Sequence, residues 1–123
     1  MNQMYMKKIY YLRTCDTCRK ILRSLPLEGF TFQEIKAEPV TAAQLDELKA
    51  LAGSYEALFS RRSKKYTAMG LKDQALQERD YRQLLLEEYT FLKRPVVVLE
   101  DRIFIGSSGK NVDSMRSALM SRS

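Results

Sequence analysis

The 123-residue chain contains no histidine, and its only cysteines are Cys15 and Cys18. Their C-x2-C spacing is half of a zinc site, but two further ligands would have to come from histidine or another cysteine, so no metal ligand is assigned. With five glycines and three prolines, the chain has no repeat, low-complexity segment or linker to mark a domain boundary, and residues 1–123 read as one domain. No apolar run approaches the roughly 20 residues that a bilayer-crossing helix needs. Met1-Asn2-Gln3-Met4-Tyr5-Met6 has neither the basic start nor the long apolar segment of an export signal. The expectation is a cytoplasmic protein with no membrane partner. In that reducing compartment two closely spaced thiols suit catalysis or sensing better than scaffolding.

The dithiol is placed for such work. Cys15-Asp16-Thr17-Cys18 follows the apolar run Ile9-Tyr10-Tyr11-Leu12 and precedes Arg19-Lys20-Ile21-Leu22, a strand-to-helix junction. A thiol at a helix N-terminus feels the positive end of the macrodipole and the unpaired amide hydrogens, which favour the thiolate. Moving a cysteine from its ordinary pKa near 8.5 to about 7 takes roughly 2 kcal/mol. A helix end supplies about 0.3–1 kcal/mol, up to about 2 in sheltered geometry. Arg13, Arg19 and Lys20 could add to this, and Asp16 opposes it. Cys15 is the expected attacking thiol and Cys18, one turn on, the resolving one.

Charge points to the class of partner. Lysine and arginine number 21 against 15 acidic residues, a net charge of +6, which favours an oxyanion, glutathione or an acidic protein surface. The excess concentrates in Arg61-Arg62-Ser63-Lys64-Lys65. No basic-aromatic interleaving accompanies it, so direct nucleic-acid binding is not expected.

Periodicity supplies the order of elements. Residues 7–12 read as a buried strand; Asp16 to Leu25 as a helix with Ile21, Leu22 and Leu25 on its apolar stripe, stopped by Pro26; and Phe30 to Ile35 as a strand of period two. Thr41-Ala42-Ala43-Gln44 opens a capped helix running to Gly53. Ser54 can cap a short helix through Phe59, a turn of helix falls near Tyr66–Met69, and a longer helix spans Glu78 to Tyr89. Val96-Val97-Val98-Leu99 and Ile103-Phe104-Ile105 are strands joined by Glu100-Asp101-Arg102, hence antiparallel. The last helix carries Val112, Met115, Leu119 and Met120 on one face. The predicted order is β-α-β, a helical insertion over about 38–93, then β-β-α: an α/β mixed sheet of the thioredoxin/glutaredoxin-like layout.

Four segments make the chain resemble the ArsC/Spx family of arsenate reductase-like, glutaredoxin-fold proteins over nearly its whole length. They are Thr14-Cys15-Asp16-Thr17-Cys18-Arg19-Lys20; Ser60 to Tyr66 followed by Gly70-Leu71; Leu92-Lys93-Arg94-Pro95-Val96-Val97-Val98; and Arg102 to Gly106. The resemblance implies a cis Arg94-Pro95 bond beside a nucleophilic Cys15, with Arg94 in the catalytic set. Family arsenate reductases use three arginines on the oxyanion, and here the other two positions fall at Ser60, beside Arg61 and Arg62, and near Gly106.

The reading that follows is a thiol-disulfide oxidoreductase in which Cys15, Cys18 and Arg94 act and Arg19, Arg62 and Pro95 contribute to substrate or anion binding. No cofactor is bound, and glutathione or thioredoxin is the expected co-substrate. Cys18 and the string Arg62-Ser63-Lys64 resemble the Spx branch, which implies as an alternative a redox-sensing transcriptional regulator contacting the RNA polymerase α subunit. True arsenate reduction is the remaining alternative.

Overall fold

The structure is a computed structural model that describes residues 6–121. The chain divides into two compact units, one made of the segments up to Glu38 and from Arg94 onward, the other of Pro39–Lys93.

The first unit is built on β1 (Lys7–Tyr11), whose Ile9 and Tyr10 are buried. Helix α1 (Asp16–Arg23) leads to β2 (Thr31–Glu34), which lies parallel to β1 with Ile9 opposite Phe32. Helix α1 stops two residues short of the expected Leu25. The Ser24 hydroxyl donates to the Ile21 carbonyl at 2.7 Å, and Leu25, preceding Pro26, is biased out of helical geometry.

After the second unit the chain returns in β3 (Val96–Leu99), antiparallel to β1 on its other side, and β4 (Arg102–Ile105), antiparallel to β3. The sheet order is β2-β1-β3-β4. Arg102, expected in the connection, pairs with Leu99 instead. Glu100 makes that two-residue turn possible by taking a φ of 60°, a conformation unusual without glycine.

Helix α5 (Gly109–Met120) closes the unit, with the Ser108 hydroxyl accepting from the Asn111 amide. Ile9, Val97 and Phe104 form a row across the sheet and share a core with Leu25, Leu99, Met115, Ala118 and Leu119. Apart from Ala118, each such side chain contributes about 1.5–3 kcal/mol by leaving water. Met120, expected on the buried face of α5, is 61% exposed; it is the last residue of the helix, one position beyond the last core residue, Leu119.

The second unit is helical. In α2 (Ala42–Ala52) the expected capping box is present: the Thr41 hydroxyl accepts from the Gln44 amide, the Gln44 side chain accepts from the Thr41 amide, and Gly53 ends the helix at φ 98°. Ser54 caps the following turn through the Ala57 amide, and that turn, Glu56–Leu58, is 3-10. Helices α3 (Lys64–Ala68) and α4 (Glu78–Glu87) follow. Helix α4 ends before the expected Tyr89 because Glu88 leaves helical geometry at φ −141° and its carboxylate accepts from the Thr90 hydroxyl at 2.9 Å. Fully buried Phe59 is the hub of this unit, stacked on Phe91 with ring centroids 4.8 Å apart and edge-on to Tyr81 and Tyr66. Among the described residues no helix is long and apolar enough to cross a membrane.

Candidate functional site

The cysteine turn begins where β1 ends. The Cys15 amide donates to the Leu12 carbonyl at 3.1 Å, and the Arg19 amide donates to the Cys15 carbonyl at 3.1 Å. Cys15 is thus the N-cap of α1, extended at φ −91° and ψ 105°. The amides of residues 16–18 belong to the first turn, which has no acceptors within the helix. An ordinary N-cap supplies a side-chain oxygen to these donors; Cys15 makes no such hydrogen bond.

The two thiols differ sharply in setting. Cys15 is half-buried and Cys18 is fully buried, and both are reduced. They are in hydrogen-bonding contact with each other. Burial pushes the Cys18 thiol up to about 11, and the neighbouring Cys15 sulfur adds to the rise. A hydrogen bond with the Leu12 backbone and the charge of Arg94 work in the opposite direction. Cys18 is therefore a protonated thiol at neutral pH, and Cys15 is the sulfur that solvent can reach.

Arg94 and Pro95 belong to the same unit. The register that sets Tyr10 opposite Val96 brings Pro95 alongside the end of β1, from which the cysteine turn departs. The Arg94-Pro95 bond is cis, as the resemblance implies. Pro95 is buried, Arg94 is half-buried, and the Pro95 carbonyl accepts from the Gly106 amide at 2.9 Å.

Arg19 is differently engaged. Its guanidinium lies 3.7 Å from the Asp16 carboxylate and 3.4 Å from the Arg13 carbonyl, with 45% of the side chain exposed. It thus reaches the peptide that precedes the cysteines.

Periodicity missed one residue beside this turn. Glu34 falls at the end of the second strand, where alternation marks it only as a polar position. In the structure its carboxylate accepts from the Arg13 amide at 2.8 Å, the Lys36 amide at 3.0 Å and the Ala37 amide at 2.8 Å. The Arg13 and Ala37 amides hold its carboxyl below the usual carboxylate range. A glutamate at the end of a strand neighbouring the motif strand is a weak signal, and only the parallel register reveals its reach.

Arg62 lies in the second unit. Its side chain is exposed and has no hydrogen bond or ion pair among the described residues. Its neighbours are committed: Arg61 donates to Glu56 at 2.8 Å and to the Tyr81 hydroxyl at 3.0 Å, while Lys65 is 3.7 Å from Glu88. Ser63 caps α3 through the Lys65 amide and bonds Thr90 at 2.8 Å. The Ser60 hydroxyl accepts from the Arg62 amide, and Gly106 takes φ 91°. Among the described residues no three histidine, cysteine or acidic side chains cluster to hold a metal ion.

Known proteins are similar to this chain in sequence and in fold. The chain is 29% identical over 120 residues to the global transcriptional regulator Spx of Enterococcus faecalis, covering 93% of this chain and 86% of that protein. An ArsC-family-related protein of Bacteroides fragilis superposes with a TM-score of 0.74 at 21% identity, covering 91% of this chain and 98% of the other. For the arsenate reductase of Vibrio cholerae the TM-score is 0.68 at 21% identity, covering 93% and 98%. These likenesses establish the thioredoxin-like α/β fold. The model of the ArsC family matches residues 10–115, which span the cysteine turn, the basic segment and the Arg94-Pro95 bond: the chain belongs to the ArsC family.

Proposed function

We propose that the protein is a cytoplasmic thiol-disulfide oxidoreductase working through Cys15 and Cys18. The observation that carries this reading is the asymmetry of the pair, an accessible sulfur at the head of α1 in contact with a buried, protonated one. The Cys15 thiolate attacks one sulfur of an oxidised thiol substrate, forming a Cys15-substrate disulfide and expelling the other sulfur as a thiolate. The Cys18 sulfur then attacks Cys15 and its proton passes to the departing substrate sulfur, which leaves as a thiol. The resulting Cys15-Cys18 disulfide is reduced by two glutathione thiols or by the dithiol of thioredoxin.

The charge of Arg94 favours the thiolate of Cys18, the form in which that sulfur attacks Cys15. Of the three oxyanion-arginine positions only Arg94 carries an arginine. A doubly charged oxyanion calls for several convergent forked donors, so a disulfide suits the site better than arsenate.

In a glutathione- or thioredoxin-coupled assay, Cys15→Ser abolishes disulfide reduction and Cys18→Ser slows it or changes the reductant. Activity of Cys15→Ser equal to the parent's overturns the reading.

The similarity to Spx and the exposed Arg62 support a second reading, a redox-sensing regulator that contacts the RNA polymerase α subunit. On that reading the protein retains the α subunit in a pull-down and Arg62→Glu weakens retention; no capture in either redox state rejects it.

A further inference from the structure

We propose that Glu34 is a positioning residue for the cysteine turn: by gripping the Arg13 amide it fixes the loop that seats Cys15 and keeps Cys18 covered. This deepens the preceding section and takes from it that Cys15 is the attacking sulfur. The geometry divides the carboxylate into two halves. One oxygen takes the amides of Lys36 and Ala37, in the turn that follows β2, and the other takes the amide of Arg13, two residues before Cys15.

The backbone of Arg13 is gripped from both sides, since its carbonyl accepts from the Arg19 guanidinium at 3.4 Å. The residues flanking it are fixed too: the Tyr11 carbonyl accepts from the Ile35 amide at 2.9 Å and the Leu12 carbonyl from the Cys15 amide. Glu34 therefore ties the motif loop to the neighbouring strand end at a residue beyond the reach of the sheet ladder, which ends at Tyr11.

The chemistry is specific to a carboxylate. An ionised glutamate only accepts hydrogen bonds, with capacity on both oxygens. Three amide donors converge here, and glutamine could satisfy one side of the grip only. With its oxygen toward Lys36 and Ala37, its NH2 group would meet the Arg13 amide donor to donor. Glu34→Gln accordingly releases the cysteine loop while leaving the turn after β2 in place.

The test measures alkylation of each thiol by iodoacetamide at neutral pH, resolved by mass spectrometry, in the folded parent, Glu34→Gln and Glu38→Gln. Glu38 is an exposed carboxylate four residues away. In the parent Cys18 reacts far more slowly than Cys15. Loss of one hydrogen bond to a charged acceptor raises Cys18 alkylation in Glu34→Gln by about tenfold, and exchange of the Arg13 amide with solvent deuterium rises with it. Glu38→Gln behaves as the parent. Unchanged Cys18 alkylation and Arg13 protection in folded Glu34→Gln overturn the inference. Should that variant not fold, the Arg13 amide in the parent decides: protection like that of strand amides supports the grip, and exchange at the rate of a free loop amide rejects it. None of these readouts requires turnover, so a parent protein that lacks reductase activity overturns the proposed function alone.

Discussion

The cysteine turn and the basic segment are both short polar connections into the start of a helix, and they use their polar groups in opposite ways. In the turn, backbone amides and carbonyls are engaged one after another, by Glu34, by Arg19 and by the first turn of α1, and Cys15 is seated on that frame. In the basic segment the side chains divide the work. Arg61 and Lys65 are tied to Glu56 and Glu88, while Arg62 and Lys64 are exposed. The first arrangement fixes an atom in space, as covalent chemistry requires. The second offers exposed positive charge, which attracts acidic surfaces in general.

The largest effect in this comparison comes from removing the support of the basic segment. Phe59 is fully buried against three aromatic rings, and Phe59→Ala costs about 3–5 kcal/mol in urea denaturation. A loss below about 1 kcal/mol would show that the aromatic hub does not carry the second unit.

Next comes the pH dependence of the cysteine turn. Cys18 has its folded pKa raised from 9.0 to about 11, so the folded state holds this proton more tightly than the unfolded chain does. The associated stability is complete below pH 9, is lost as pH rises toward about 11, and amounts to roughly 2–3 kcal/mol. Relative to Cys18→Ala, the parent therefore loses stability across that alkaline window. Parallel curves for the two proteins would show that Cys18 is not held as a buried thiol.

The smallest effect separates two adjacent arginines. Arg61→Ala removes a half-exposed ion pair and the bond to Tyr81 and costs about 1 kcal/mol or less, whereas Arg62→Ala stays within about 0.5 kcal/mol of the parent. Equal losses by thermal denaturation would erase the distinction between committed and open charges.

The features legible in the sequence were those with a local cause. The β-α-β and β-β-α order follows from runs such as Val96-Val97-Val98-Leu99, and the Thr41 capping box from a four-residue pattern, while C-x2-C after an apolar run announces a thiol at a helix start. Features that depend on neighbours distant in sequence were not legible. The 3-10 turn at Tyr89–Phe91 is bound up with the Glu88 carboxylate and the pairing of Phe59 with Leu92. Arg102 joins β4 because Glu100 adopts a conformation that its residue type disfavours. Glu34 lies 21 residues from the amide it grips, and its part in the cysteine turn rests on the alignment of β1 with β2. Arg19, expected to tune the thiol, has the Asp16 carboxylate and the Arg13 carbonyl as its partners, which gives it a place in the same frame.

The division of labour between the two sulfurs is tested most directly by trapping. Cys15→Ser, Cys18→Ser and the parent are each exposed to a small aromatic disulfide, and the adducts are identified by intact mass and peptide mapping. The account predicts that Cys18→Ser accumulates a stable mixed disulfide on residue 15, that the parent passes through this adduct to a Cys15-Cys18 disulfide, and that Cys15→Ser remains unmodified on the same timescale. An adduct forming on Cys18 of Cys15→Ser as fast as on Cys15 of Cys18→Ser would contradict it.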